Sequence, residues 1–348
     1  MTNPLPPASN EKLRVAVIGA GSLGKEHARI YAQLAADKTI QFSGVHDSNP
    51  EVGQRQALLH GVPFLKDIGE AAEKSDALSI VTPTQTHYDL SKQFLNLGKH
   101  ILVEKPMTDN AQQAAELVLL ARQKDCLLQV GHVERFNPVF TYLEKVATCP
   151  RFIETHRLSP FPARSTDIGV VLDLMIHDLD LVLAFVKSPV QSVDAVGVPV
   201  LSQTEDIANA RIRFANGCVA NLTASRVSPE RMRKIRVFSS GPQTSYISLD
   251  YRAQEGFIYR IARHDEAESS LLKKLLRTKD STIVSEFGGK RIVREPVPIA
   301  KDEPLKLELA HFIDCIQARR APLVSGESAK QALDLALEIT AKIADSKP

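Results

Sequence analysis

From Leu13 to His132, short apolar runs alternate with amphipathic ones, and no other feature of the 348-residue chain restricts its fold so strongly. Leu13–Ala20, Ile40–Asp47, Ala77–Pro83, His100–Pro106 and Cys126–His132 are brief, rich in Val, Ile and Leu, and bounded by turn residues, the pattern of buried strands. Between them, Leu23–Leu34, Pro50–Leu59, His87–Leu97 and Asn110–Lys124 place apolar residues at helical spacing. Strand–helix–strand order closes as right-handed crossovers between parallel strands, so residues 1–132 are expected to form a doubly wound α/β domain.

The rhythm then changes. A helical stretch surrounds Asp173–Phe185, and strand-like runs follow at Val190–Val200, Asn209–Phe214, Cys218–Ser225, Ile235–Ser239 and Ser245–Tyr251. Asn216-Gly217 between two of them is a hairpin turn signal. Strands without intervening helices pair antiparallel, so residues 133–348 are expected to form a second, α+β domain. Leu305–Arg319 and Ser328–Ile343 read as closing helices that pack back on the first domain, while Ser269–Lys301 carries too weak a pattern to place.

Charge argues against a polyanionic partner, because 43 Lys and Arg nearly balance 41 Asp and Glu. The basic group Arg231, Arg233, Lys234 and Arg236 accordingly reads as a solvated strand edge rather than a nucleic-acid surface. The richest apolar stretch, Gly169 to Val186, is interrupted by Asp173, His177, Asp178 and Asp180, which makes it a poor candidate for a membrane span. Four scattered cysteines without a CxxC pair and no signal-peptide pattern point to the cytoplasm. No second cluster of ligand types accompanies His177-Asp178-Leu179-Asp180, so no metal is expected.

The segment VAVIGAGSLGKEHA ends the first strand run and opens the first helical one. Gly19, Gly21 and Gly24 form GxGxxG there: the first permits a tight turn, the second a close approach of backbone to pyrophosphate, the third close helix–strand packing. Ser22 and Leu23, between them, are expected to line the same cradle. Asp47, ending the second strand run, is placed to accept hydrogen bonds from the adenosine ribose hydroxyls and to repel a 2′-phosphate, which favours NAD over NADP. A turn or helix-capping role for Asp47 is the alternative.

Two further groups carry chemistry. Glu104-Lys105-Pro106 lies at a strand end on the carboxyl edge, where doubly wound sheets bind ligands, and Pro106 restricts the backbone of Lys105. Lys105 there is suited to hydrogen-bond a reacting oxygen or to exchange a proton with it. Asp173 and His177 are four apart in an otherwise apolar helix, so they share a face, and the carboxylate is suited to orient the imidazole as a base.

Taken in order, the glycine turn with His27, TPTQTH (82–87), EKPM (104–107), GHVERFNP (131–138), LDLMIHDLD (172–180) and the closing segment 304–329 resemble the Gfo/Idh/MocA oxidoreductases over nearly the whole chain. That resemblance implies a Rossmann domain, a second domain with a large open antiparallel sheet, and association through such sheets as a homodimer or homotetramer. It also implies oxidation of a secondary alcohol on a sugar, sugar nucleotide or cyclitol, with catalytic roles for Lys105, Asp173 and His177. GHVERFNP and DIGVVLDLMIHDLDLVL look most like members that oxidise the 3-hydroxyl of UDP-N-acetylglucosamine. Myo-inositol, a free aldose and a UDP-sugar acid are the alternative substrates, and an NAD-sensing regulator without catalysis is an alternative class. Thr82, Pro83, His87 and Glu104 are expected along the cofactor, with a structural histidine as the other reading of His87. Arg135, Asn137 and Arg164 are expected at the substrate, Arg being suited to a diphosphate. His177 is the favoured base and Lys105 its rival.

Overall fold

The computed structural model describes residues 12–161, 168–240, 244–262 and 282–345. Two compact units result: one runs to Gly131 and adds Leu305–Glu327, the other comprises His132–Pro304 and the chain from Ser328.

In the first unit β1 (Arg14–Ile18), β2 (Gln41–His46), β3 (Ala77–Ile80), β4 (His100–Glu104) and β5 (Leu128–Gly131) form a parallel sheet in the order β2-β1-β3-β4-β5. The order reverses between β1 and β3, so their carboxyl ends flank a crevice suited to a ligand. Four helices, α1 (Gly24–Ala36), α2 (Pro50–His60), α4 (His87–Asn96) and α5 (Ala111–Gln123), lie where the periodicity puts them. A fifth, α3 (Ile68–Lys74), escaped the sequence reading because seven residues give less than two repeats of an apolar stripe. Val15, Val17, Tyr31, Phe42 and Val45 share one buried cluster with Leu309, Phe312 and Ile313 of the helix Pro304–Gln317.

The second unit holds α6 (Pro138–Val146), α7 (Ile176–Val186) and a nine-stranded sheet. Its strands are β6 (Pro150–Leu158), β7 (Val190–Val198), β8 (Ile207–Phe214), β9 (Val219–Ser225), β10 (Met232–Ser240), β11 (Thr244–Asp250), β12 (Glu255–Ile261), β13 (Thr282–Phe287) and β14 (Lys290–Pro296), ordered β13-β14-β12-β11-β10-β6-β9-β8-β7. Neighbours pair antiparallel except β6 and β9, which run parallel, so the sheet is mixed rather than wholly antiparallel. β6 went unread because its sequence, PRFIETHRL, is half charged or polar. The turn at Asn216-Gly217 is formed, with Gly217 at φ 81° and the Cys218 N–H donating to Asn216 Oδ1. Alternate residues of β6, such as Ile153, Thr155 and Arg157, lie on the buried face, which α7 covers against β6 and β9. The opposite face carries a half-exposed aromatic row of Phe152, Phe238, Tyr246 and Tyr259, with successive ring centroids 5.6, 4.7 and 5.1 Å apart. Among the described residues no helix is long and apolar enough to cross a membrane.

Arg226, wholly buried just past β9, donates to Asp206 Oδ1 (2.8 Å), Ile168 O (2.7 Å), Ser202 Oγ (2.9 Å) and Thr204 Oγ1 (3.0 Å). The other Asp206 oxygen accepts from the N–H groups of Val200, Leu201 and Ser202. Burial alone would raise the Asp206 carboxyl, but Arg226 and these donors hold it well below the usual carboxylate range. Its contribution to stability is therefore complete above the unfolded pKa of about 3.9 and is lost only as pH falls through the lower folded value. Arg226→Met leaves that carboxylate buried without its cation, and urea unfolding is expected to show a loss of about 3–5 kcal/mol. A loss under about 1 kcal/mol, the range of an exposed pair, would contradict this account.

Candidate active site

The glycine turn follows from steric necessity. Gly19 sits at φ 93°, and a Cβ on Gly24 would lie 1.9 Å from the Gly19 carbonyl oxygen, so α1 approaches the end of β1 more closely than any side chain allows. Gly21 differs: a Cβ there would meet nothing within 4 Å, so protein packing does not demand its glycine. The helices α2, α3, α5 and α6 are capped by Asn49, Asp67, Asn110 and Asn137, whereas the first turn of α1 has no side-chain cap. An uncapped helix N-terminus beside an open glycine turn fits a bound pyrophosphate.

Asp47 follows β2, where one carboxylate oxygen accepts from the Ala20 N–H (2.7 Å) and the other from the Asn49 N–H (2.8 Å). It braces the glycine turn, and each oxygen retains acceptor capacity for a ribose hydroxyl. The N-cap of α2 is Asn49, not Asp47.

Glu104 is buried at the end of β4, its Oε1 3.1 Å from Nε2 of the wholly buried His27 and its Oε2 accepting from the Lys105 N–H at 3.3 Å. A Cβ on Gly131 would come within 2.6–2.7 Å of that carboxylate, so β5 has glycine where Glu104 folds over it. The Lys105–Pro106 peptide is cis, and the Pro106 carbonyl accepts from His87 Nδ1 at 2.8 Å. His87 Nε2 faces the Thr82 carbonyl, also at 2.8 Å. Burial dominates in lowering the His87 pKa, with the two carbonyls acting the other way. With both nitrogens occupied by backbone, His87 ties the Thr82–Pro83 turn to the Lys105 turn, and the structural reading of this residue fits better than contact with a cofactor. Thr82 Oγ1 accepts from Thr86 Oγ1 at 2.7 Å in the same turn.

In the second unit Asp173 lies in a widened helical turn, Val171–Met175, that runs into α7, and His177 occupies the first turn of α7. Asp173 and His177 thus straddle a change of helical pitch rather than lying on one regular α-helix; widened turns of this kind recur at functional sites. The His177 ring meets the buried His132 ring edge-on, centroids 6.2 Å apart.

Arg135 and Asn137, expected at the substrate, have other partners. Arg135 is 8% exposed, lies 3.4 Å from Asp180 Oδ1 and faces the Phe140 ring at 5.5 Å. Asn137 caps α6 and donates to Glu134 Oε2 and to the Tyr251 carbonyl, each at 3.0 Å. Neither set of partners is visible in the sequence, because a polar residue in a turn looks exposed until its buried partners are known. Arg164 lies outside the described residues.

Sequence reading also missed Arg157. Its Nε and Nη2 grip Asp178 at 3.1 and 2.9 Å, and its Nη1 reaches Glu134 at 3.1 Å. Burial works against the cation, but Asp178 and Glu134 keep it charged. The available signal was alternation in β6, which puts Arg157 on the same face as Ile153.

Comparison with known proteins accords with these features. Residues 13–132 match the GFO_IDH_MocA model, described as an oxidoreductase family with an NAD-binding Rossmann fold, and 150–241 match the GFO/IDH/MocA C-terminal domain. The chain is 34% identical to UDP-N-acetylglucosamine 3-dehydrogenase of Acidithiobacillus ferrooxidans over 328 residues, 94% of this chain and 96% of that protein. A solved structure of UDP-N-acetylglucosamine 3-dehydrogenase GnnA from that organism aligns at TM-score 0.84 with 33% identity, covering 96% of this chain and 98% of that one. Scyllo-inositol 2-dehydrogenase (NAD(+)) of Bacillus subtilis is 25% identical over 357 residues, covering 97% and 96%. Matched along both domains and nearly end to end by relatives, the chain belongs to the Gfo/Idh/MocA family of NAD-binding oxidoreductases.

Proposed function

We propose that the protein is an NAD-dependent dehydrogenase that oxidises a secondary alcohol of a sugar nucleotide, the 3-hydroxyl of UDP-N-acetylglucosamine, to the ketone. The observation that carries the reading is the end-to-end likeness to the Acidithiobacillus ferrooxidans enzyme in a chain that carries Lys105, Asp173 and His177. The open cradle at Gly21 and the braced carboxylate of Asp47 support NAD over NADP.

NAD, when bound, supplies the hydride acceptor at C4 of its nicotinamide. His177 takes the hydroxyl proton, a role suited to an imidazole near neutral pH. Asp173 orients that group, and Lys105, fixed through its own N–H and the Pro106 carbonyl, donates a hydrogen bond to the reacting oxygen. With NAD bound as hydride acceptor, the alcohol would give its hydroxyl proton to His177 and become a carbonyl.

A screen of UDP-N-acetylglucosamine, its uronic acid, myo-inositol and free hexoses by NADH absorbance tests the substrate, with 2-oxoglutarate included to recycle tightly held cofactor. UDP-N-acetylglucosamine is expected to be turned over; activity on inositol alone would replace this reading by that of the cyclitol relatives. His177→Ala is expected to retain NAD affinity while turnover falls at least about a hundredfold, the lower end of what a positioned base contributes. Unchanged turnover removes His177 from the reaction.

The glycines give a third test. Gly21→Ala is expected to leave the urea midpoint unchanged and weaken NAD binding, because its methyl group enters open space. Gly24→Ala is expected to cost stability itself, about 1–3 kcal/mol, since its methyl collides with backbone. Equal effects of the two on stability would contradict the distinction.

A further inference from the structure

Arg135 reaches Asp180 through Nη1 alone, while Arg157 is held by Asp178 and Glu134, so the diphosphate of a sugar nucleotide calls for a further cation beside them. The end of the sheet nearest these residues offers another cation. Arg233 stands directly opposite Arg157 in the β10–β6 register and therefore on the same face, the one α7 covers. Its side chain is 53% exposed, and among the described residues the carboxylate within ion-pair range of it is Glu134, 3.6 Å away, whose Oε1 Arg157 already holds at 3.1 Å.

A second exposed cation joins it. The Tyr251 N–H donates to the Arg233 carbonyl, so Arg252, next in the chain, emerges at this same end. Arg157 and Arg252 both repel the Arg233 charge, while Glu134 and Asp178 attract it. Among the described residues Glu134 lies within ion-pair range of both Arg157 and Arg233, and it and Asp178 are drawn toward the buried Arg157. Positive charge left over at a water-accessible position favours an anion, and a forked guanidinium suits phosphate oxygens. The group also adjoins the candidate catalytic segment: Asp178 follows His177, and His132, two residues before Glu134, touches the His177 ring.

We infer that Arg233, with Arg252 beside it, is a specificity-determining residue that binds the diphosphate of a nucleotide-sugar substrate. The inference rests on the sugar-nucleotide reading above and adds Arg233 to the residues expected at the diphosphate. It also separates substrate classes, since a cyclitol or free sugar offers nothing for this cation to hold.

The test compares the full-length protein with Arg233→Ala and Arg233→Lys. Steady-state kinetics on UDP-N-acetylglucosamine are combined with UDP alone as probe, by calorimetry and as an inhibitor. Arg233→Ala is expected to raise both KM and the UDP dissociation constant about ten- to a hundredfold, the effect of losing hydrogen bonds to a charged group. NAD affinity and the unfolding midpoint should stay unchanged, kcat should fall much less than KM rises, and Arg233→Lys should restore part of the loss. Wild-type turnover and UDP binding that Arg233→Ala leaves within twofold would overturn this site and leave the substrate reading standing. UDP binding that depends on Arg233 without turnover of UDP-N-acetylglucosamine would uphold the site and overturn that substrate. Absence of both turnover and UDP binding in the wild type would overturn both.

Discussion

One buried cation organises the second unit. The Arg157 guanidinium has almost no access to water, so it persists only because Asp178 takes it with two hydrogen bonds and Glu134 with a third. Those three contacts join a central strand, the helix that bears His177 and the turn that follows β5. Asn137 extends the connection from Glu134 to the Tyr251 carbonyl at the end of β11. Arg226 repeats the device past β9, the strand that runs parallel to β6, and holds Ile168 upstream of the widened turn. The Asp173–His177 segment is therefore held downstream by the Arg157–Asp178 pair and upstream by Arg226 on the Ile168 carbonyl.

Histidines do comparable work in the first unit. His27 holds Glu104, which receives the Lys105 N–H, and His87 holds the Pro106 carbonyl on the other side of that lysine. The nearby glycine turn is fixed differently, by contacts too close for a side chain at Gly24 and by the Asp47 carboxylate on the Ala20 N–H. A rigid lysine turn and an open glycine cradle stand on one carboxyl edge, the arrangement a dinucleotide enzyme needs.

Much of this was legible in the chain. The parallel sheet followed from alternating runs because strands buried on both faces write their apolar residues continuously. The glycine turn and Asp47 were legible because local backbone geometry dictates them. What escaped depends on partners distant in sequence. Nothing near Arg135 announces Asp180, 45 residues on, and nothing in PRFIETHRL marks it as a central strand until Arg157 finds Asp178. The parallel pairing of β6 with β9 is hidden for the same reason, since consecutive strands suggest antiparallel neighbours and only the long-range register corrects them. Asp173 and His177 were placed correctly in a helical stretch, but the widened turn between them carries no periodic signal.

The account's central claim is that the oxidised carbon is C3 of a sugar nucleotide and that its hydrogen leaves as hydride. Incubation with UDP-N-acetylglucosamine deuterated at C3, followed by mass spectrometry of the nicotinamide product, measures that transfer directly. The account predicts deuterium at C4 of the reduced cofactor. Turnover that yields unlabelled reduced cofactor, with the deuterium retained on the sugar, would contradict it.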